Sequence, residues 1–178
     1  MLVHFPPTGN VFGPGCSSMQ EQWRAMEDFY RAGKAKAIGV SNYCPSSLEC
    51  IMKVANVTPA VNQVQYHIGM GKDPNGIKSY CDKLGTVLQG YSPLGDGTSV
   101  LINGPLVSGI GDAHNKTGPQ VSLQWVVKNG VPVSTKSTSA THLTTDLDIF
   151  DWDVTAAEKA KLDAATSPAG HYSFKCNK

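Results

Sequence analysis

Four short apolar runs in the chain end abruptly in polar residues. The polar residues that close these runs are Ser41-Asn42, Asn62-Gln63, Tyr91-Ser92 and Lys136-Ser137. Amide and hydroxyl groups offer both hydrogen-bond donors and acceptors, which is what holding and orienting a small polar ligand requires. In parallel α/β barrels, polar side chains at the C-terminal ends of buried strands build the active site. The pattern therefore indicates a fold and the place where its chemistry would occur.

Amphipathic helical patterns separate the apolar runs. Apolar residues recur at helical spacing over 48–55 and 77–84, which predicts helices that pack on a sheet. Capping boxes predict further helix starts, and Asp73-Pro74 fits an N-cap followed by proline in the first turn. The capping boxes lie at 18–21, 46–49, 117–120 and 155–158.

The apolar runs themselves predict strands. The strands are expected near 1–5, 37–41, 60–66, 86–91 and 131–135. Strands that alternate with helices indicate right-handed βαβ crossovers and a parallel sheet. A full eight-fold barrel needs ~200 residues or more. We therefore expect an α/β fold, a partial parallel β/α (TIM-type) barrel of about five βα units, in a single domain over residues 1–178.

Two segments rich in proline, glycine or serine interrupt this alternation. Residues 6–17 are expected to form a loop after the first strand, and residues 92–116 a longer connection. Loops of that length are usually functional or disordered. The longer connection is interpreted as a lid over a ligand or, alternatively, as a flexible spacer.

Composition excludes several classes of protein. The formal net charge is +1, so nothing marks a nucleic-acid or membrane surface. No apolar run approaches the ~18 residues that a membrane span needs. The chain has five cysteines, an odd number, and it has no C-x-x-C motif. We therefore expect reduced thiols in a cytoplasmic protein, with no metal site and no nucleic-acid or membrane partner.

Taken together, these motifs resemble those of the aldo-keto reductase family. The matching stretches are residues 2–6, 33–43, 62–67, 91–95 and 135–137. The resemblance covers nearly the whole chain, in the family's order and rough spacing. It implies part of a (β/α)₈ barrel that reduces aldehydes and ketones with NADP(H). The carbonyl substrate itself is not identified by the sequence.

The resemblance also implies roles for the polar residues at the first two strand ends. Ser41, Asn42 and Gln63 would hydrogen-bond the nicotinamide carboxamide and so fix which face of the ring meets the substrate. Tyr91 would stack on that ring, an arrangement that contributes roughly 0.5–1.5 kcal/mol beyond area burial.

The remaining strand ends would hold the phosphates. By resemblance, Ser92 and Leu94 begin the loop that wraps the pyrophosphate. Lys136 and Ser137 would hold the adenosine 2′-phosphate, which distinguishes NADPH from NADH.

The sequence departs from the family beside this phosphate site. The family has an arginine there, followed by a Glu-Asn pair, whereas this chain has His142, Thr145 and Asp146. A histidine cannot replace a bidentate guanidinium, and an aspartate repels a phosphate. We therefore expect weakened NADPH binding.

Only one of the family's four catalytic residues has a counterpart. His4 matches the histidine that orients the carbonyl. The family's Asp, Tyr and Lys precede that strand, and no tyrosine here matches the family's general acid. The chain is therefore interpreted as the cofactor-binding, C-terminal part of such an enzyme, with little or no activity alone. Its open strand edges predict self-association.

Two other interpretations stay open at this point. One is a non-catalytic nicotinamide-nucleotide-binding or scaffolding module derived from the same family. The other is a different parallel α/β barrel whose strand-end polar groups bind another phosphate ligand. Binding of the nicotinamide cofactor distinguishes this other barrel from both the reductase and the non-catalytic module.

Overall fold

Strands and helices alternate along the part of the chain that the structure describes. It is a computed structural model that describes residues 1–7, 16–96, 98–166 and 176. The strands are β1 (Leu2–Val3), β2 (Gly39–Ser41), β3 (Val61–Gln65), β4 (Val87–Tyr91) and β5 (Val133–Ser134). The helices are α1 (Ser17–Arg31), α2 (Pro45–Met52), α3 (Ile77–Leu84), α4 (Val100–Asn103), α5 (Pro105–His114), α6 (Gly118–Lys128), α7 (Ala140–Leu147) and α8 (Ala156–Asp163), with a short 3₁₀ helix at Pro74–Gly76.

The described strands form a parallel sheet in chain order. β1 pairs with β2, and β2 pairs with β3 in a register that sets Ser41 opposite Gln63. β4 pairs with β5, with Tyr91 opposite Ser134. Each strand lies within a segment predicted from its apolar run. The predicted parallel α/β class, with about five βα units, is confirmed.

Contacts divide the chain into two compact units. Unit 1 comprises the described residues within 1–64 and 73–88, together with Cys176. Unit 2 comprises the described residues within 65–72 and 89–173. The prediction of one domain over residues 1–178 stays a prediction.

The core of unit 1 lies between its helices and the first strands. Trp23 of α1 is buried, and its Nε1 donates to the Val57 carbonyl at 3.1 Å. Leu48 of α2 is also buried. A Cβ atom on Gly39 would lie 2.5 Å from the Val61 carbonyl oxygen. Glycine at that position therefore lets β2 approach β3 closely.

The core of unit 2 is built around α6. The Tyr66 and Trp125 rings stack with their centroids 5.3 Å apart, and both side chains are buried. Trp125 Nε1 donates to Asp163 Oδ1 at 2.8 Å, which ties α6 to α8. Because α6 is buried along most of its length, it supports the strand ends of this unit.

Two of the four predicted capping boxes are confirmed. Thr117 and Thr155 each accept a hydrogen bond from the third residue of the following helix, whose side chain bonds back. The boxes at 18–21 and 46–49 are wrong. α2 begins two residues earlier than the box predicts because Pro45 occupies its first turn, and neither Cys16 nor Cys44 at the N-cap makes a side-chain cap.

Asp73 does cap a helix, although one turn later than expected. Its Oδ1 accepts from the backbone N–H groups of Lys78 at 2.8 Å and Ser79 at 3.2 Å. These donors belong to the first turn of α3, which follows the 3₁₀ helix. The proline after Asp73 therefore starts the 3₁₀ turn, while the carboxylate serves α3.

The loop predicted over 92–116 is largely helical. α4 and α5 occupy most of it, and Leu101, Val107 and Ile110 are buried. Pro105 sits in the first turn of α5, where its missing N–H costs nothing. Most of the other predicted loop, 8–15, lies outside the described residues, and Ser17 already begins α1.

The prediction of five reduced thiols is wrong for four of them. Cys16 is bonded to Cys50 and Cys44 to Cys176, with Cα atoms 5.6 Å apart in each pair. α1 packs on α2, and this brings the first pair together across 34 residues of sequence. Cys81 keeps a buried thiol, and burial raises its pKa to about 11.

Neither a membrane span nor a metal centre is found within the described ranges. None of the helices there combines the length and the apolar character needed to cross a bilayer. Within the same ranges, no group of three or more His, Cys, Asp or Glu side chains is arranged to hold a metal ion.

Candidate functional site

Three predicted site residues converge at the ends of β2 and β3 in unit 1. Ser41 Oγ donates to the Gln63 carbonyl at 2.7 Å. The backbone N–H of Asn42 donates to the same carbonyl at 2.9 Å. The parallel register causes this convergence, because it sets Ser41 opposite Gln63. The structure thus brings Ser41 and Asn42 against the backbone of Gln63, while the cofactor-binding role of the three residues stays a prediction.

Asn42 leaves the strand in an unusual backbone conformation. Its φ is 61°, in the left-handed region, which asparagine tolerates better than most residues. Its Nδ2 donates to the His4 carbonyl at 3.0 Å and to Ser41 Oγ at 3.2 Å. Asn42 is only 2% exposed, so these bonds hold a nearly buried amide at the strand end.

His4 follows β1 directly and lies beside this group through its backbone. Its carbonyl accepts from Asn42, whereas its side chain is exposed. The imidazole packs against the Phe5 ring, with centroids 4.4 Å apart. An exposed imidazole at a strand end can reach a small molecule without displacing core side chains.

Tyr91 and Ser92 end β4 in unit 2. The Tyr91 carbonyl accepts from the backbone N–H of Tyr66 at 3.2 Å. Ser92 has φ 48°, and its carbonyl accepts from the N–H of Gly95 at 3.0 Å. The chain therefore turns sharply where the strand stops, and both side chains remain half-exposed.

A cavity of about 560 Å³ lies within unit 2, and three predicted site residues line it. Leu94, Lys136 and Ser137 are those three residues. Ser137 Oγ accepts from the backbone N–H of Ser139 at 3.1 Å, which orients the hydroxyl beside the start of α7. This volume is within the range that takes small-molecule ligands.

Two lysines line the cavity, but their surroundings differ. Lys116 Nζ lies 2.8 Å from Asp148 Oδ1 and 3.5 Å from Asp151 Oδ1, so its charge is compensated. Lys136 forms no ion pair with any residue in the described ranges. An ammonium beside a hydroxyl is a donor set that suits phosphate oxygens. Lys136 and Ser137 therefore fit an anionic group, while the carboxylates of Asp112 and Asp146 line the same cavity and oppose one.

The sequence did not single out the part of the cavity wall that comes from α4, α5 and the start of α6. The residues concerned are Ile102, Asn103, Ser108, Asp112, Lys116, Thr117, Gly118 and Pro119. Those up to Lys116 went unnoticed because 92–116 was interpreted as a loop, whereas 117–119 were predicted only as the start of a capped helix. The i, i+3 spacing of Val107 and Ile110 is the signal that could have revealed α5.

Two tyrosines of unit 1 are poor proton donors. Burial raises the pKa of Tyr43 to about 12, and its hydroxyl donates to Gln22 Oε1 at 3.4 Å. Burial and the nearby charge of Glu49 also raise the pKa of Tyr80. An effective general acid has a pKa near the working pH. Neither Tyr43 nor Tyr80 is tuned for that role.

Comparison with known proteins gives consistent matches. The model of the aldo/keto reductase family matches residues 1–100. Glyoxal reductase of Bacillus subtilis (strain 168) is 35% identical over 154 residues, which are 86% of this chain and 54% of the relative. Aldose reductase B of Dictyostelium discoideum is 34% identical over 183 residues, covering 93% and 58%. The chain spans about half the length of the curated relatives it matches.

A third relative is named for its cofactor. The NADPH-dependent alpha-keto amide reductase of Saccharomyces cerevisiae (strain ATCC 204508 / S288c) is 34% identical over 151 residues, covering 82% of this chain and 48% of the relative.

Solved structures agree on the fold. An aldo-keto reductase from a Medee basin deep-sea metagenome library superposes with a TM-score of 0.86 at 26% identity, covering 99% of this chain and 62% of that one. A Bombyx mori aldo-keto reductase in complex with NADP gives 0.75 at 24% identity, covering 91% and 55%. The latter likeness is one of fold alone.

Proposed function

Because the chain belongs to the aldo-keto reductase family, a family of oxidoreductases, we propose that it serves NADP(H)-dependent reduction of aldehydes or ketones to alcohols. The single observation that carries the cofactor assignment is the cavity of unit 2, which is lined by the oriented Ser137 hydroxyl and by Lys136, a lysine that has no carboxylate partner among the described residues. When bound, the cofactor supplies the hydride. The residues of this chain hold and orient it.

The strand ends of unit 1 would fix the nicotinamide end. Ser41, Asn42 and Gln63 carry the hydroxyl and amides that can bond a carboxamide, and hydrogen bonds limit the rotation of the Ser41 and Asn42 side chains. Such fixed groups would set which face of the nicotinamide ring meets the substrate. Asn42, the residue after β2, has a left-handed backbone conformation. This supports the assignment, because unusual backbone geometry is concentrated at ligand sites.

The strand ends of unit 2 would hold the rest of the cofactor. Tyr91 would stack on the nicotinamide ring, and Ser92 with Leu94 would border the pyrophosphate. Lys136 and Ser137 would take the 2′-phosphate through charge-assisted hydrogen bonds. The name of the yeast relative, an NADPH-dependent reductase, supports this choice of cofactor.

His4 would orient the substrate carbonyl from the end of β1. Its exposed imidazole supports this role. General acid catalysis contributes about 10²–10⁴-fold. Because no tyrosine of this chain matches the family's general acid, the 178-residue chain by itself would reduce carbonyls very slowly or not at all.

A cytoplasmic location and a single functional domain over residues 1–178 complete the proposal. Disulfides persist mainly in oxidising compartments and are rare in the cytosol. The Cys16–Cys50 and Cys44–Cys176 bonds of the structure are the observation that stands against a cytoplasmic location, and the redox state of these cysteines in the cell decides it. Alkylation of thiols in freshly lysed cells, followed by mass spectrometry, tests this, and quantitative protection of these four cysteines would contradict the location.

One experiment tests the function on the purified chain. NADPH is titrated while its fluorescence is followed, and a simple aldehyde is then added while NADPH absorbance is recorded. We expect saturable binding and little aldehyde-dependent oxidation. Absence of binding would overturn the proposed function. Rapid oxidation would instead overturn the claim that the chain alone is inactive.

A further inference from the structure

Asn62 stands next to Gln63 in β3, but its side chain lies on the other face of the sheet. Side chains alternate along a strand, so those of Asn62 and Gln63 point in opposite directions. Asn62 is 0% exposed, and Val64, which shares its face, is buried as well. Asn62 Nδ2 lies 3.8 Å from the Cys81 thiol of α3. Asn62 therefore points into the layer between β3 and α3, away from the face that carries the Gln63 side chain.

The amide of Asn62 bonds the N–H and the carbonyl of Tyr43, the second residue after β2. Asn62 Nδ2 donates to the Tyr43 carbonyl at 2.8 Å, and Asn62 Oδ1 accepts from the Tyr43 N–H at 3.4 Å. Tyr43 is 1% exposed, so water has little access to these groups, and a buried peptide group without a partner costs free energy. Turning the amide over would set N–H against N–H, so these contacts fix its orientation.

These bonds hold the turn that presents Asn42. Asn42 precedes Tyr43 and has φ 61°, a conformation that a residue other than glycine keeps where its surroundings fix it. Its N–H donates to the Gln63 carbonyl at 2.9 Å, and its side chain donates to the His4 carbonyl at 3.0 Å. Tyr43 lies beyond the end of β2, where the Asn62 side chain holds it in place of a strand pair. The turn is thus fixed on both sides of Asn42.

We propose that Asn62 is a positioning residue of the nicotinamide site, which fixes the turn at Asn42 without itself touching the cofactor. The inference rests on the proposed function, since it takes the end of β2 as the place where the nicotinamide binds. The Asn62 amide lets the chain leave β2 while its buried peptide groups stay bonded. The orientation of the nicotinamide therefore depends on a side chain from the opposite face of β3.

Two measurements on NADPH separate positioning from general stability. Calorimetry gives the dissociation constant, and the fluorescence anisotropy of the reduced nicotinamide at saturation reports how freely the bound ring moves. The proteins are the wild-type chain, Asn62→Ala, Asn62→Asp and Thr86→Val. Thr86→Val is the matched control, because Thr86 is 3% exposed in unit 1 and its Oγ1 donates to the Pro59 carbonyl at 2.8 Å, ahead of β3 and β4. It removes a buried bond to the backbone from the strand starts instead of the strand ends.

The expected result at pH 8 is a loss confined to the Asn62 variants. Asn62→Ala should bind NADPH roughly tenfold more weakly than wild type. The anisotropy of the NADPH that it still binds should fall, because the ring moves while the adenosine end stays held. Thr86→Val should lower the melting temperature and leave both measurements at their wild-type values. Thermal melting of each protein gives its folded fraction.

Asn62→Asp adds a pH profile that a general loss of stability does not explain. At pH 8 its carboxylate accepts from the Tyr43 N–H but cannot donate to the Tyr43 carbonyl. Burial raises the pKa of a carboxyl group, so at about pH 5.5 the protonated acid offers a donor and an acceptor as the amide does. The neighbouring Cys81 stays protonated throughout, because burial raises its pKa to about 11. The anisotropy of NADPH bound to Asn62→Asp should therefore approach that of wild type at the same pH as the pH falls.

The outcomes separate this inference from the proposed function. Wild-type anisotropy in Asn62→Ala, or an equal loss in Thr86→Val, overturns the inference while the proposed function stands. A deficit in Asn62→Asp that does not change with pH overturns it as well, and this profile alone decides where Asn62→Ala does not melt cooperatively. Failure of the wild-type chain to bind NADPH overturns both.

Discussion

At the scale of single residues, Asn42 combines a left-handed backbone conformation with an amide that we propose binds the cofactor. Its left-handed φ turns the chain out of β2, and its amide bonds the His4 carbonyl and Ser41 Oγ. These bonds fix the position of the amide where β2 ends. The same bonds make it part of the stability of unit 1.

Replacing Asn42 with alanine should lower both stability and cofactor affinity. The lost hydrogen bonds cost about 1–2 kcal/mol of unfolding free energy, measured by denaturant titration. The affinity for NADPH, measured by fluorescence, should fall several-fold. Asn75→Ala is the matched control, because Asn75 has φ 53° but is exposed and lies outside the site. Equal effects of both substitutions on NADPH affinity would contradict the role of Asn42.

At the scale of elements, α2 is fixed by two disulfides. Cys44 at its N-cap is bonded to Cys176, and Cys50 within it is bonded to Cys16 at the start of α1. α2 begins three residues after Asn42, so whatever holds this helix also supports the end of β2. Closing a chain loop by a disulfide stabilises chiefly by restricting the unfolded state.

Reduction should therefore destabilise the chain. Each disulfide is expected to contribute about 2–4 kcal/mol of unfolding free energy. The melting temperature of the wild-type chain should fall when a dithiol reductant is added. A Cys16→Ser/Cys44→Ser double variant should melt low with or without reductant. An unchanged wild-type melting temperature after complete reduction would rule out this stabilising role.

Local signals account for what the sequence predicted at this scale. The capping boxes at Thr117 and Thr155 and the apolar strand runs depend only on neighbouring residues, and these predictions are confirmed. The Cys44–Cys176 bond joins residues 132 positions apart, so spacing alone could not reveal it. α4 and α5 went unrecognised because glycines at 104, 109 and 111 suggested a loop, although buried Leu101 and Val107 anchor these helices.

In the candidate site, too, local sequence signals predicted some features and missed those that depend on distant residues. The sequence predicted the strand-end groups, and the register of β2 with β3 brings Ser41, Asn42 and Gln63 together. It did not predict that Lys116 would be neutralised by Asp148, a pairing across 32 residues. The charge available to a ligand depends on such distant pairings and therefore requires the structure.

At the scale of the whole molecule, unit 1 exposes an apolar groove beside β1. Met1, Leu2, Phe5, Met26 and Phe29 line it, and Phe5 is 47% exposed. Among the described strands, β1 pairs only with β2, so its other edge carries backbone groups without strand partners. Open edges and apolar surfaces favour association.

We expect the chain to self-associate through this groove. Light scattering at micromolar concentration should give a mass above 19.0 kDa that rises with concentration. Phe5→Lys should shift the population toward the monomer because it places a charge in the groove. Val100→Lys is the control, since Val100 is exposed in unit 2 and does not line the groove. A monomer mass at all concentrations would refute self-association.

The central claim is that the chain holds NADPH through the cavity at Lys136, and calorimetric titration of NADPH tests it most directly. The wild-type chain should show one saturable site, and Lys136→Ala should weaken it roughly tenfold to a hundredfold through loss of a charge-assisted hydrogen bond. Lys128→Ala should bind like wild type, because Lys128 is paired with Asp153 at 2.6 Å and does not line the cavity. Equal affinities of the wild-type and Lys136→Ala chains, or no binding by the wild-type chain, would contradict the claim.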